Sequence, residues 1–441
     1  MSKETHVTTA QELAQAIADK AAVISIDGEI SGSPMITLPE GTTLRGGTLK
    51  FGARGVRLGK DTTLDGVTIT VPETETAILL DTTVEDLGTI TLKDVTTRGQ
   101  VALIAEDQVR AGHIRVDNLH VEAADTRGRY HRPHGFGVDA LQGAFTLWNR
   151  QTDPAVRLTA DLLDISAGSA SEPVRGSGVF VGGHGDWEGQ RDGGTIAVTR
   201  LRTGEIHTDG GISAGAADLI SGGVFVISGA DVEVVDNAGP VTTYGQNDMV
   251  LDNWGAVKTW TASADVTSKG ASGIGFVNFG DIDELEVTAP ITTTGGGARG
   301  FNLYDGSLNK AVFHSIATTG DGSLGIQVSK PLPHLEVLGD VTTTGGEGTS
   351  LVRGVQTTLK AIALSVKDTG AVDTLHIGGK LRTTGDNVAT LEVAGTIGAI
   401  AIDGGIEAAG AGSDGVYLSG NGVDLENVSI NAEKGEAIRE V

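Results

Sequence analysis

Apolar residues recur at a regular spacing in the second half of the chain. One series runs through Val224, Met249, Ile274, Phe301, Ile326 and Leu351, mostly 25 residues apart, and the same step separates Leu391 from Val416. Around these positions polar and apolar residues alternate, as in short strands with one buried face. A repeat of this length predicts a solenoid whose coils stack on one another, with this series pointing into the core.

Glycine marks the corner of each predicted coil. The positions are Gly210, Gly245, Gly270, Gly295, Gly320, Gly345, Gly370, Gly385, Gly410 and Gly435. Most of them follow a β-branched or leucine residue and small polar residues, as in VTTYG, VTSKG and ITTTG. This composition is typical of a strand that ends in a tight turn.

Polar residues also repeat with the coil. Asn253 and Asn278 share one position and predict a stacked, hydrogen-bonded amide pair with a structural role. A second row predicts a threonine ladder along the coils, and it comprises Thr242, Thr267, Thr292 and Thr342, with interruptions at Ala317, Arg382 and Glu407.

The only convincing helix lies near the start of the chain, over residues 9–20. Thr9 and Glu12 have the spacing of a capping box. The predicted apolar face consists of Ala10, Leu13, Ala14, Ile17 and Ala18. We therefore predict an N-terminal capping helix within residues 1–21, which covers the end of one parallel β-helix domain at 22–441.

These corners and strands such as SGVFV, SGIGF and RGFNL resemble the right-handed parallel β-helix proteins of the pectate-lyase-like superfamily. The resemblance covers nearly all of the chain after the helix and implies an all-β fold. It does not specify one activity, because the superfamily contains lyases, hydrolases, epimerases, transferases and non-catalytic rods. Side-by-side association into a homotrimer is a further expectation from this resemblance.

Composition narrows the function classes. The formal net charge of −25 argues against nucleic acid and against anionic membranes as partners. A polyanionic substrate would be repelled unless a cation or a local basic groove intervened. The chain has no cysteine, no signal-peptide pattern and no long apolar run. A cytoplasmic location is the default expectation, with a secreted or cell-surface location if a leader has been removed.

Two segments break the repeat, around residues 125–175 and 182–194, and rare residues concentrate there. Loops on a rigid scaffold commonly carry functional sites. The first segment contains RYHRPHGFG, the only dense basic cluster, with Arg129 beside the site candidates. His131 and His134 are candidate proton carriers, whereas Arg132 and Tyr130 are candidate substrate-binding residues.

The second segment contains GGHGDWEGQRD. Gly183-His184-Gly185 resembles a tripeptide of the polygalacturonase family, but that family's Asn-Thr-Asp, Asp-Asp and Arg-Ile-Lys motifs are not found in order, so no catalytic residue is transferred. In an extended strand Asp186 and Glu188 would lie about 6.6 Å apart on one side. That distance suits the acid and base of an inverting glycosidase, with Trp187 as a sugar platform. The alternative is a solvated polar turn.

Further candidates lie in the regular coils. Asp248 and Asp252 are predicted to face outward on the strand NDMVLDNWG, either as catalytic carboxylates or as Ca²⁺ ligands. Trp254, Asn302 and Tyr304 are the corresponding candidates for substrate binding, on the floor of a groove. No cofactor is required by any motif, and no other metal site is predicted.

The combined interpretation is a carbohydrate-active enzyme. It would cleave or rearrange glycosidic bonds of an oligo- or polysaccharide by acid/base catalysis, as a hydrolase or a lyase. His184 would join His131 and His134 as a proton carrier, beside the four carboxylates named above. Two alternatives remain open, a non-catalytic rod such as an adhesin passenger or phage fibre, and a glycan-binding module.

Overall fold

A computed structural model describes residues 4–352, 355–420 and 422–441. The chain divides into two compact units, one formed by 1–209 and 225–234 and the other by 210–224 and 235–441. We call them unit 1 and unit 2. Each consists almost entirely of parallel strands from successive coils, so each unit is a parallel β-solenoid. In the described residues no helix has the length and the apolar surface that crossing a lipid bilayer requires.

Most of the strands have eight residues or fewer and follow one another closely. In the first part of the chain they are β1 (Glu4–Val7), β2 (Val23–Ile26), β3 (Glu29–Ser33), β4 (Ile36–Leu38), β5 (Thr43–Arg45), β6 (Thr48–Phe51), β7 (Val56–Leu58), β8 (Thr63–Asp65), β9 (Thr68–Thr70), β10 (Thr76–Leu80), β11 (Asp86–Arg98), β12 (Gln100–Ala105), β13 (Ala111–Ala123), β14 (His134–Gly135), β15 (Val138–Ala140), β16 (Gly143–Asn149), β17 (Arg157–Ala167), β18 (Val174–Arg175), β19 (Ser177–Gly182) and β20 (Thr195–Asp209).

The remaining strands are β21 (Leu219–Val226), β22 (Ala230–Asn237), β23 (Val241–Thr243), β24 (Asp248–Asn253), β25 (Ala256–Ala262), β26 (Val266–Ser268), β27 (Ile274–Asn278), β28 (Asp281–Thr293), β29 (Arg299–Leu303), β30 (Ser307–Thr318), β31 (Ile326–Val328), β32 (Pro331–Val337), β33 (Val341–Thr343), β34 (Glu347–Val352), β35 (Val355–Lys360), β36 (Leu364–Val366), β37 (Ala371–Ile377), β38 (Leu381–Thr383), β39 (Ala389–Val393), β40 (Thr396–Ile402), β41 (Ile406–Ala408), β42 (Asp414–Leu418), β43 (Ile430–Ala432) and β44 (Ile438–Glu440).

The predicted helix is confirmed as α1 (Ala10–Ala18). Its capping box is complete, since Thr9 Oγ1 accepts from the Glu12 amide at 3.2 Å and the Glu12 carboxylate accepts from the Thr9 amide at 3.1 Å. The predicted apolar face is partly wrong. Leu13 and Ala16 are the buried positions, whereas Ala14 and Ala18 are exposed. The strand β1, which precedes the helix and pairs with β2, was not predicted.

The paired registers differ between the units. In unit 2 Met249 pairs with Ile274 and Thr242 with Thr267, a step of 25 residues. In unit 1 the step is not constant. Thr43 pairs with Thr63, 20 residues away, whereas Ala111 pairs with Arg157, 46 residues away. The longer steps of unit 1 accommodate the loops that carry the site described below.

Glycine is required at the corners of unit 2 because successive corners nearly touch. A Cβ on Gly295 would lie 1.9 Å from the carbonyl oxygen of Gly270, and a Cβ on Gly320 would lie 2.1 Å from that of Gly295. From Gly345 the stack continues at Gly385, not at Gly370. The strands β34 and β35 form an antiparallel hairpin that accounts for this longer step.

The hairpin also corrects the apolar series. Ile326 pairs with Leu364 in the next coil, whereas Leu351 lies on the hairpin opposite Gln356, and its side chain lies outside the described residues. The polar rows are confirmed. Asn253 Nδ2 donates to Asn278 Oδ1 at 2.8 Å. The threonine row passes through Ala317, Arg382 and Glu407 in the predicted register.

Candidate functional site

Two loops of unit 1 meet beside the parallel sheet that contains β7, β10, β12, β16 and β19. The first loop follows β13 and contains the small antiparallel hairpin of β14 and β15. The second loop follows β19. They touch where Phe136, at the tip of the hairpin with φ of 51°, packs on Gly189 of the second loop. A Cβ on Gly189 would lie 2.3 Å from the Phe136 ring, so glycine permits this contact.

Buried amides hold the first loop in place. Gln100 Nε2 donates to Gln142 Oε1 at 2.9 Å, and Gln142 Nε2 donates to the backbone oxygen of His131 at 2.8 Å. Thr126 Oγ1 donates to the backbone oxygen of Gln142 at 2.6 Å. Because Gln100 and Gln142 are almost fully buried, this network fixes the position of the segment that carries His131.

The second loop is a tight turn. The amides of Gly189 and Gln190 donate to Asp186, the first to its backbone oxygen at 3.1 Å and the second to its Oδ1 at 2.7 Å. Gly185 and Arg191 form an antiparallel bridge at its base. The extended strand assumed for Asp186 and Glu188 is therefore wrong, because the side chain of Asp186 caps the turn. Glu188 is exposed.

The two loops enclose a cavity of about 280 Å³, which we call the histidine pocket. Its walls are His131, Arg132, Pro133, His134, Trp148, Arg150, Thr152, Gly183, His184, Gly185 and Ile227. All three histidines predicted as proton carriers therefore line one cavity. Arg132 lines it too, and its Nη2 donates to the backbone oxygen of Arg127 at 3.0 Å.

One histidine of this pocket has a carboxylate partner. His184 Nδ1 lies 2.6 Å from Asp192 Oδ1, a charge-assisted hydrogen bond when the imidazole is protonated. A carboxylate on Nδ1 orients the ring and leaves Nε2 for proton exchange with a ligand. The arrangement is that of a general base or acid held by a second residue.

Two aromatic rings stand beside the histidines. The Trp187 ring centroid is 4.9 Å from that of His134, and its side chain is 52% exposed. Tyr130 is 92% exposed, with its ring 5.0 Å from His131 in an edge-on arrangement. Exposed rings next to residues that line a cavity offer flat apolar faces to a ligand.

A second cavity, of about 440 Å³, shares His131 with the first, and we call it the arginine pocket. Leu79, Ala102 and Ile104 contribute apolar surface. The positive groups are Arg54, Arg57 and Arg129. Arg54 and Arg57 were missed by sequence reasoning, and their only signal is positive charge just before and on a short strand of an acidic chain.

The aspartates predicted to face outward from the coils of unit 2 are buried. Asp248 Oδ1 accepts from Ser221 Oγ at 2.5 Å, and its Oδ2 accepts from the amides of Gly245 and Gly210 at 2.7 and 3.1 Å. Such a carboxylate completes the turns around it. The prediction that Asp248 lies on an open groove is wrong.

Asp252 is also buried, at 1% exposure, but neither of its carboxylate oxygens is in hydrogen-bonding geometry with a partner. Burial raises the pKa of Asp252 well above its ordinary value, and the Trp254 indole opposes this shift only in part. The prediction that Asp252 lies on an open groove is therefore wrong as well.

The residues predicted as a groove floor in unit 2 are packed instead. Trp254 is 4% exposed, Asn302 is fully buried and Tyr304 is 8% exposed. The rings of Trp254 and Tyr304 both pack on Phe279, at centroid distances of 6.5 and 5.2 Å. The structure thus groups the histidines of unit 1 and leaves these three residues away from any open surface.

In the part of the chain that the structure describes, no three or more His, Asp or Glu side chains are grouped so as to hold a metal ion. Comparison of the chain with protein-family models, with curated protein sequences and with solved structures finds no match.

Proposed function

We propose that unit 1 is a carbohydrate-active enzyme that cleaves glycosidic bonds by acid/base catalysis in the histidine pocket. The observation that carries the proposal is the convergence of His131, His134 and His184 on one cavity, with His184 held by Asp192. Positioned imidazoles are effective proton donors and acceptors near neutral pH.

The roles follow from the contacts. Asp192 orients His184, which makes His184 the base that removes a proton from the sugar or from an attacking water. His134 is the acid that protonates the leaving oxygen, because it stands beside the Trp187 ring on which a sugar would stack. Arg132 and Tyr130 extend the binding surface on either side of His131.

Histidines support the chemistry better than a carboxylate pair does. The side chain of Asp186 already accepts the Gln190 amide within the turn, and Glu188 is not among the residues that line the pocket. The two carboxylates proposed from the sequence are thus less suited to act as a glycosidase pair. Either hydrolysis or elimination is compatible with imidazole catalysis.

We further propose that the chain is related to the pectate-lyase-like superfamily. The parallel coils, the helix at the start of the chain and the loops on one sheet support this relationship. Fold alone does not identify an activity, so the proposal for the histidine pocket stands on its side chains.

A glycan-binding module without catalysis is the second candidate. The exposure of Trp187 and Tyr130 favours it, because stacking on aromatic rings binds sugars without any proton transfer. Under this alternative an oligosaccharide would bind and be recovered intact. Replacement of Trp187 by alanine would then weaken binding of the oligosaccharide, and neither the wild type nor a His184 variant would cleave it.

The test is a glycan panel with product detection by chromatography, run with CaCl₂ and with a chelator because Ca²⁺ remains a candidate ligand. We expect one glycan to be cleaved, and His184→Ala to lower the rate by about 10²- to 10⁴-fold. His113→Ala is the matched control, since His113 also faces a carboxylate, Asp161, at 3.4 Å but lies outside the pocket. Equal activity of His184→Ala and His113→Ala would refute the assignment.

A further inference from the structure

The arginine pocket concentrates positive charge in a chain whose formal net charge is −25. Arg54 precedes β7 and Arg57 lies on it, whereas Arg129 comes from the loop after β13. All three line the same cavity of about 440 Å³. In the described part of the chain, none of the three guanidinium groups has an ion-pair or side-chain hydrogen-bond partner.

For Arg129 the lack of a partner is energetically unfavourable, because part of its guanidinium group is buried. Its Nε and one Nη atom are buried without a hydrogen-bond partner. Burial lowers the pKa of Arg129 from its ordinary value, and the charge of Arg54 lowers it further, whereas Glu75 and Asp125 oppose the shift. A buried cationic donor without an acceptor is unfavourable unless a ligand supplies one.

The acidic residues that line the arginine pocket, Asp81 and Glu106, do not accept hydrogen bonds from Arg129. Asp81 Oδ1 accepts from the amide and the hydroxyl of Thr83, at 3.2 and 2.8 Å. Glu106 forms an ion pair with Arg150. The pocket therefore retains an excess of positive charge at its surface.

The wall of the arginine pocket also contains a neutral hydrogen-bond acceptor, the side-chain amide oxygen of Gln100. Gln100 is 1% exposed, and its amide nitrogen donates to Gln142 and to the backbone oxygen of Gly143, both at 2.9 Å. Its Oε1 is buried and accepts no hydrogen bond. A hydroxyl is the donor that such an amide oxygen would take from a ligand.

We propose that Arg54, Arg57 and Arg129 bind a tetrahedral oxoanion, the sulfate ester or phosphate monoester of a sugar. A guanidinium group donates well to anionic oxygens, and three arginines match the three free oxygens of such an ester. A planar carboxylate offers only two. The cavity is within the usual range for small-molecule sites, about 300–1,000 Å³, so the anion is one group of a larger molecule.

The sugar part of this inference rests on the proposed function, because the arginine pocket and the histidine pocket share His131. The anion part does not rest on it. A charged substituent held by the arginines would place the adjoining sugar beside His131, which also lines the histidine pocket.

The first experiment is calorimetric titration with sodium sulfate and with sodium phosphate at constant ionic strength. We expect saturable binding that Arg57→Gln and Arg129→Gln each weaken by about tenfold or more, which corresponds to one lost charge-assisted hydrogen bond. Arg115→Gln is the control of equal charge, because Arg115 is exposed on β13 outside the pocket. Binding that all three variants retain equally would overturn the proposal.

Folding of the variants is checked by thermal unfolding, and Arg129→Lys is included because it keeps the charge but loses the planar fork. Affinity that Arg129→Lys restores only in part supports a guanidinium site. The second experiment compares sulfated, phosphorylated and unsubstituted forms of one oligosaccharide. A preference for the sulfated or the phosphorylated form identifies the source of the anion, and tighter binding of a uronic acid than of both esters overturns the assignment.

The two proposals fail separately. Anion binding that depends on Arg129 without cleavage of any glycan would leave this inference standing and refute the proposed function. Cleavage that depends on His184, together with no binding of sulfate or phosphate, would refute this inference alone.

Discussion

The two units each contain a charged cavity, and the cavities differ in whether their arginine side chains are ion-paired. The cavity of unit 2, about 550 Å³, contains Glu392 and Asp414. Lys367 Nζ donates to Glu392 at 2.7 Å, and Arg439 Nε donates to Asp414 at 2.7 Å. The arginine pocket of unit 1 has three guanidinium groups and no such partners. Charges that are paired within the protein serve its structure, whereas unpaired ones are available to a ligand.

Coil length explains the difference. The coils of unit 2 repeat at 25 residues through most of the strands β24 to β33, so a polar residue that recurs with the repeat meets its equivalent one coil away. Asn253 and Asn278 hydrogen-bond to each other in this way. The loops of unit 1 interrupt the repeat, and their side chains have no equivalent on the next coil. The arginine pocket lies among these irregular coils, and no neighbouring coil supplies an ion-pair partner for its three arginines.

The largest effect on stability is expected from a paired carboxylate of unit 2. Asp248→Ala leaves the Ser221 hydroxyl and the amides of Gly210 and Gly245 without their acceptor. We expect a loss of about 3 kcal/mol in the free energy of unfolding, measured by urea denaturation. Asp373→Ala is the control, because Asp373 is exposed, and it should change stability by less than about 0.5 kcal/mol. Similar values for both variants would contradict the structural role of Asp248.

Substitution of Asp252, four residues after Asp248, should have the opposite effect on stability, because neither carboxylate oxygen is in hydrogen-bonding geometry with a partner. Burial raises the pKa of Asp252, so the folded protein holds this proton more tightly than the unfolded chain does. Stability is then highest in acid and falls as the pH rises from about 4, the ordinary aspartate pKa, to the raised pKa of Asp252. Asp252→Asn removes that fall.

We therefore expect the stability of Asp252→Asn relative to the wild type to increase as the pH rises above about 4. Urea denaturation at several pH values between 3 and 8 measures the difference. A constant difference over this whole range would show that Asp252 does not titrate differently in the folded state.

The smallest effect on stability is expected from the ion-paired arginine that lines the cavity of unit 2. Arg439→Gln removes the ion pairs with Asp414 and Glu436, in which the arginine is 44% exposed, so the free energy of unfolding should hardly change in urea denaturation. The affinity for sulfate should be unchanged within about twofold. A loss of sulfate binding comparable to that of Arg129→Gln would show that an ion-paired arginine also binds the anion, and would contradict the contrast between the two cavities.

Part of the candidate site could be predicted from the sequence. His131, His134 and His184 were selected because they lie in the segments that break the repeat, and the structure places them in one cavity. Asp192 was not selected, although it lies eight residues from its partner, since only the turn at 185–191 brings its carboxylate to Nδ1 of His184.

Asp248 and Asp252 show why the rest could not be predicted. Strand alternation assigns a side chain to one of two faces, and it contains no information about whether either face is covered. Asp248 is enclosed by the turn at Gly245, 3 residues before it, and by the turn at Gly210, 38 residues before it in the sequence. The same uncertainty affects Trp254, Asn302 and Tyr304, which alternation placed on a surface and packing buried.

The sequence by itself determined the properties that repeat locally. The parallel coils, the capping box of α1, the asparagine pair and the threonine row follow from spacing, because equivalent residues one coil apart must stack. Only the tertiary structure decided which coils are longer, that β34 and β35 form a hairpin, and that Arg54, Arg57 and Arg129 share a cavity. These depend on contacts between segments with no common period, and no local preference of the chain specifies them.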